Sequence, residues 1–372
     1  MIARQVTSPR SVLLSLPRWA PLLIGLGLVG LTSGVARGQQ PAPKYPEHQQ
    51  LDYVLSDKGE RQPIANKADW ERRRAHILAN MQVVMGPLPA DSKKVSPELQ
   101  VLEEVKLDKC VRRKISYRTE ANDRVRAYLF LPQPGTSQKG PAVLCLHQTV
   151  KIGKEEPAGL GGNPNLHYAL HLAERGYVTL APDYPSFGEY EYDFAPAKGY
   201  TSGTMKAIWD NMRAIDLLQS LPEVDGNRIG CIGHSLGGHN TLFVSAFDVR
   251  IRALASSCGF CAFGKYYGGD LRGWSSDRYM PRILSYGGWR NLPFDFHEVV
   301  AAVAPRAFLA SAPLRDSNFD VEGVREVMRA AGEVYRLYGA GDRLAARYPD
   351  AGHEFPLAER ENAYGFLRRH LG

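Results

Sequence analysis

Apolar and polar positions change rhythm along this chain. Between residues 69 and 85 the spacing is helical: Trp70, His76-Ile77-Leu78 and Met81 share one side, Asp69 stands as N-cap, and Gly86-Pro87 ends the run. Residues 111–117 and 125–131 alternate instead, with Glu120-Ala-Asn-Asp123 between them as the turn, which predicts an antiparallel hairpin. Beyond the hairpin come short continuous apolar runs at 142–146, 177–181, 228–232, 251–255, 307–310 and 344–348. Helical patterns at 168–175, 205–221, 236–247, 321–338 and 357–371 separate most of them, and a 40-residue interval precedes residue 307. Strands buried on both faces and alternating with helices predict an α/β fold. Its central sheet is mostly parallel, with an antiparallel leading hairpin at one edge and helices on both faces.

The first 40 residues break this pattern. Arg4, Arg10 and Arg18 precede the run "PLLIGLGLVGL", and small residues lead to Ala36-Arg37-Gly38, which predicts a signal peptide over residues 1–38. The run is short and glycine-rich for a membrane span, so no stable membrane insertion is expected after cleavage; the alternative is an uncleaved N-terminal anchor. Removing residues 1–38 takes away four arginines and no acid, so the formal charge falls from +7 to +3. That balance does not suggest a nucleic-acid partner. Residues 39–100 are expected to form a linker and helix, and 101–372 one catalytic domain.

Five cysteines, an odd number, do not make a disulfide framework at this size. Cys145 and Cys231 lie in apolar runs and are expected as small buried hydrophobes. Cys258-Gly-Phe-Cys261 has the spacing of a redox pair without the helix-opening context, and a disulfide involving Cys110, Cys258 or Cys261 stays open. His234, His239 and Cys231 have no metal-ligand spacing, so no metal is expected.

The stretch "CIGHSLGGHN" contains G-x-S-x-G, a pattern that chance supplies in roughly one chain in four of this length. Its surroundings decide the matter. A strand ends at Ile232 and a helix starts at Leu236, so Ser235 falls on the bend between them. Gly233 and Gly237 relieve the crowding there, and the helix start offers the Leu236 N–H to a developing negative charge. A serine hydroxyl needs a base and an orienting acid. Asp316 follows the run 307–310 and His353 follows 344–348, so both leave the sheet at the edge that carries Ser235. The predicted catalytic residues are therefore Ser235, Asp316 and His353. Asp320 is the alternative acid and better suits the cap of the next helix. His370 reads as a surface residue of the closing helix, and His234 and His239 are expected to point away from the serine. A second oxyanion donor is expected after the run 142–146, from the amide of Gln148 or Thr149 beside that of Leu236.

With "LCLHQT", "GHSLGGH", "APLRDSNFD" and "DAGHEF", the chain from about residue 111 onward resembles the α/β-hydrolase superfamily. More narrowly it is similar to the dienelactone hydrolase, acetyl xylan esterase and prolyl-oligopeptidase-type branch. In the peptidases of that branch an Asn follows the acid by two positions, as Asn318 follows Asp316. Most relatives place glycine where this chain has Gln148, and the peptidases carry a propeller for which the segment before the sheet is too short. The resemblance implies a secreted serine esterase acting on small acyl esters or decorated polysaccharides. A serine peptidase or amidase, or a catalytically dead binding protein, are the alternatives.

Two aromatic segments are expected to wall the site, residues 183–193 and 259–296, with Tyr184, Tyr190, Tyr267, Trp274 and Trp289 as substrate-binding residues. No phosphate loop or nicotinamide fingerprint occurs, so the expected partner is a small-molecule or carbohydrate ester and no cofactor is expected.

Overall fold

The computed structural model describes residues 42–133, 139–195 and 199–372. The signal peptide expected over residues 1–38 lies outside the described residues. A two-stranded hairpin, β1 (Tyr53–Leu55) and β2 (Arg61–Pro63), leads into α1 (Lys67–Met85). The chain continues through β3 (Gln100–Lys106), β4 (Cys110–Glu120), β5 (Asp123–Pro132), β6 (Gly140–Leu146), α2 (Tyr168–Ala173), β7 (Val178–Pro182) and α3 (Gly203–Ser220). It then forms β8 (Val224–His234), α4 (Leu236–Phe247), β9 (Ile251–Ser257), α5 (Phe296–Ala301) and β10 (Ala307–Ser311). Helix α6 (Val321–Leu337), β11 (Leu344–Arg347) and α7 (Leu357–Leu371) close it.

Strands β3 to β11 form one sheet in the order β11-β10-β9-β8-β6-β7-β5-β4-β3. Pairing from β11 through to β7 is parallel, whereas β7–β5, β5–β4 and β4–β3 are antiparallel. Successive residues of the central strands feed opposite faces, as the two-residue strand period requires. Leu144 and Cys231 join a core with α1, α3, α4, α5 and α6, while Val143, Cys145 and Ile232 join a second core with α2 and α7. All five cysteines are free and buried, which closes the disulfide option among Cys110, Cys258 and Cys261.

One local expectation changes, and one strand forms where none was predicted. Helix α1 starts two residues earlier than predicted, because Asn66 is the N-cap and accepts from the amides of Ala68 and Asp69. Asp69 instead reaches back to the Ala65 amide. Strand β3 has no apolar signature, since it is an exposed edge strand. It is charge-paired to its neighbour through Glu104–Arg113 at 2.7 Å, an arrangement that suits an edge.

Helix α1 is locked to the core by a buried ion cluster. Arg73, fully buried, donates to Glu298 Oε1 at 2.6 Å and to the Tyr53 carbonyl, and its guanidinium lies 3.1 Å from the Tyr45 ring centre. His48 contacts Glu298 Oε2 through Nδ1 at 2.9 Å and the Leu292 carbonyl through Nε2 at 3.0 Å. Both partners are acceptors, so both ring nitrogens must carry protons and His48 is an imidazolium. Burial pushes its pKa down, but the Glu298 hydrogen bond and charge outweigh that and raise it. The raised value means the contribution is complete below the unfolded pKa and fades as pH rises through the folded one. Glu298→Ala strands Arg73 and is expected to cost about 3–5 kcal/mol, read from urea unfolding.

Candidate active site

Strand β8 enters α4 through Ser235, whose φ of 52° and ψ of −118° are strained for a residue with a Cβ. Its amide donates to the Ser257 carbonyl at 2.8 Å, which fixes the bend against β9. The flanking glycines are demanded by contact. A Cβ on Gly233 would lie 2.2 Å from the Gly237 carbonyl, and one on Gly237 would lie 1.8 Å from the Leu146 oxygen. The bend therefore packs directly on the end of β6, from which the Gln148–Thr149 loop departs.

Asp316, five residues beyond β10, and His353, six beyond β11, meet Ser235 in a continuous line. His353 Nδ1 lies 2.9 Å from Asp316 Oδ1, and its Nε2 lies 2.9 Å from Ser235 Oγ. An acceptor at Asp316 requires the proton on Nδ1, which leaves Nε2 able to accept from the serine hydroxyl. Asp316 Oδ1 also accepts from the amides of Asn318 at 2.8 Å and Phe319 at 3.1 Å. Burial pushes the Asp316 carboxyl up, but His353 and those two amides hold it below the usual carboxylate range. Asp320, the alternative acid, caps α6 by accepting from the Gly323 amide.

The carboxylate has a neighbour that the sequence reading did not assign. Cys258, at a φ of 49°, brings its thiol to a point where it, Asp316 and His353 lie within 4.8 Å of one another. Burial, then Asp316, raises the Cys258 thiol well above its ordinary range, so it stays protonated.

A cavity of about 110 Å³ opens at Ser235. Leu236 and Thr149 line it, as do Trp274, Tyr279, Tyr266 and His239. The Leu236 amide is the first of α4 and has no partner within the helix. Gln148 does not line the cavity; its side-chain amide donates to both oxygens of Glu156. The loop is held by His147, which contacts the Gln148 carbonyl through Nδ1 and accepts the Tyr184 amide at Nε2. Thr149 Oγ1 lies 3.1 Å from the Tyr279 hydroxyl.

Of the five expected substrate residues, Trp274 lines the cavity. Tyr267 stands beside it, exposed, its hydroxyl donating at 2.6 Å to the side chain of the lining residue Asn318. Tyr184 is buried with its hydroxyl on the Arg278 carbonyl. Tyr190 is buried in the core, where its hydroxyl serves Asp123 and Asp210 beside Lys206. Trp289 packs over Gly264 and Gly269 and is not among the lining residues. The expectation that His239 points elsewhere is corrected. It sits one helical turn beyond Ser235, so both face the same side of α4. Its ring lies between Phe243 and Trp274, with centroids 4.1 and 4.6 Å away. Burial pushes its pKa down to about 3, so the ring is neutral, and neither nitrogen has a hydrogen-bond partner among the described residues. His234 contacts the Ser257 hydroxyl at 3.1 Å, and its ring lies 5.0 Å from that of His353.

The sequence pattern described as "Alpha/beta hydrolase family" matches residues 143–364. The chain is 26% identical over 311 residues to "Putative hydrolase YtaP" of Bacillus subtilis (strain 168), covering 80% of this chain and 100% of that protein. It is 25% identical over 186 residues to "Carbohydrate esterase MZ0003" from an unknown prokaryotic organism, covering 46% of this chain and 43% of that one. In structure it is similar to a glucuronoyl esterase from Solibacter usitatus. The TM-score is 0.70 at 18% identity, over 89% of this chain and 99% of the other. Among the described residues, no helix is long and apolar enough to cross a membrane.

Proposed function

This chain belongs to the alpha/beta hydrolase family, and from that premise we propose that it is a serine carboxylic-ester hydrolase working by two-step acyl transfer. The observation that carries this reading is the pair of 2.9 Å contacts running from Asp316 through His353 to Ser235. In the first step Ser235 Oγ attacks the ester carbonyl while His353 Nε2 takes its proton. The Asp316 carboxylate keeps the Nδ1 proton in place and stabilises the imidazolium that forms. The amides of Leu236 and Thr149 hold the tetrahedral oxyanion; Thr149 lines the cavity at Ser235 and Gln148 does not, which favours Thr149 as the second donor. His353 then returns its proton to the leaving alcohol, and water repeats the sequence on the acyl-enzyme.

The substrate we infer is a neutral ester with a short acyl group, carried by a sugar or another small alcohol. The cavity is small, and with His239 neutral none of its lining residues carries a formal charge. The names of MZ0003 and of the Solibacter protein support a carbohydrate ester. The arginine-flanked leader supports action outside the cytoplasm. The test compares kcat/KM for acetylated, feruloylated and glucuronoyl-linked xylan fragments with the rate on proline-containing peptides. Acetyl esters are expected to be the fastest; peptides cleaved faster than every ester would overturn the reading.

A further inference from the structure

Strands β8, β9 and β10 run parallel, so their amino ends lie at the sheet edge opposite Ser235. A second cavity opens there, of about 600 Å³, beside Asn227, Arg252 and Ala307. Five arginines line it: Arg74, Arg252, Arg306, Arg343 and Arg369, with His370 beside them and Glu71 as the lining acid. Among the described residues none of these arginines makes an ion pair with a carboxylate. Glu71 is itself engaged by the Tyr338 hydroxyl at 2.5 Å.

The floor of the cavity is rigid. Arg306, 9% exposed, donates to the carbonyls of Ser245, Asp248, Ile251 and Val303. Arg74 donates to the carbonyls of Ala246 and Ala302. These contacts cap the end of α4 and satisfy the donors, but they supply no full counter-charge. Arg252 and Arg369 are exposed and, among the described residues, have no carboxylate or carbonyl to hold them, while the Arg343 side chain reaches the Pro305 oxygen at 3.4 Å. The field in the cavity is therefore positive. Burial lowers the pKa of Arg306 to about 10, with Arg74 adding to the shift. His370 is lowered by burial and then by Arg369 and Arg343.

We propose that this cleft binds a multivalent oxyanion of the phosphate or carboxylate type, with Arg252, Arg343 and Arg369 closing on it over the fixed charges of Arg74 and Arg306. Guanidinium groups match such oxygens in paired hydrogen bonds, and a concave wall concentrates their field. Two sources share that chemistry: free inorganic phosphate and the uronate carboxylates of an acidic polysaccharide. In the second case the cleft would hold polymer on the face away from the serine.

Calorimetric titration of the full mature chain with inorganic phosphate and with oligogalacturonate, at fixed ionic strength, separates the two. The comparison is the double variant Arg252→Ala/Arg369→Ala, whose exposed side chains leave the fold and p-nitrophenyl acetate hydrolysis unchanged. Binding of either anion to the wild type, weakened about tenfold or more in the double variant, supports the cleft and names its source. Binding of neither, or equal binding by both proteins, overturns it. Because the readout is anion binding, the proposal stands or falls separately from the esterase reading.

Discussion

Ser235→Ala is expected to lower kcat for p-nitrophenyl acetate by about a millionfold, with KM little changed. The size follows from chemistry that no neighbour replaces. Cys258 lies close to Asp316 and His353, but its thiol is buried and held protonated. What remains after the substitution is the oxyanion site and simple binding, which give only modest acceleration over water. The fold should be untouched, because the bend is held by the Ser235 amide rather than by its side chain. The same position yields an opposite expectation for stability. A φ of 52° suits glycine better than serine, so Ser235→Gly is expected to abolish activity and raise stability by about 1 kcal/mol in urea unfolding. An inactive variant more stable than the parent would mark backbone strain retained for the reaction.

Asp316→Ala is expected to lower kcat by about 10⁴-fold near neutral pH, since it removes both the acceptor that fixes the His353 proton on Nδ1 and the charge that stabilises the imidazolium. Asp316→Asn should fall between the parent and the alanine variant. The amides of Asn318 and Phe319 require an acceptor at the Oδ1 position, so the carboxamide oxygen is expected to settle there. It can then still accept from Nδ1, and what is lost is the charge. Acid stability follows the same group. The Asp316 pKa is depressed in the folded state, so its contribution is complete above the ordinary carboxylate pKa of about 4 and is lost as pH falls through the lower folded value. Asp316→Ala should accordingly flatten the fall of Tm with acid in that window.

The sheet was legible because its strands are continuous apolar runs with turn chemistry between them, and Leu357–Leu371 matches the predicted closing helix end to end. Strand β3 was not, because an edge strand with charges on it has no hydrophobic rhythm to read. The start of α1 slipped since Asn66 and Asp69 are both capping residue types, and only the hydrogen bonds distinguish them. At the site, the positions of Ser235, Asp316 and His353 followed from where each strand ends. Tyr190 did not follow, because the acids that take its hydroxyl come from β5 and α3, which no local pattern brings together. His239 carried a usable signal in its spacing of four from Ser235 along a helix. Cys258 carried none, since its place beside Asp316 depends on a loop with positive φ.

The central claim is that Ser235 is the activated nucleophile, and covalent labelling reads it directly. After reaction with a fluorophosphonate, peptide mass spectrometry should find one adduct, on Ser235. It should be absent in Ser235→Ala and should form far more slowly in His353→Ala. An adduct on any other residue, or ester hydrolysis that persists in a protein the probe cannot label, would contradict the account.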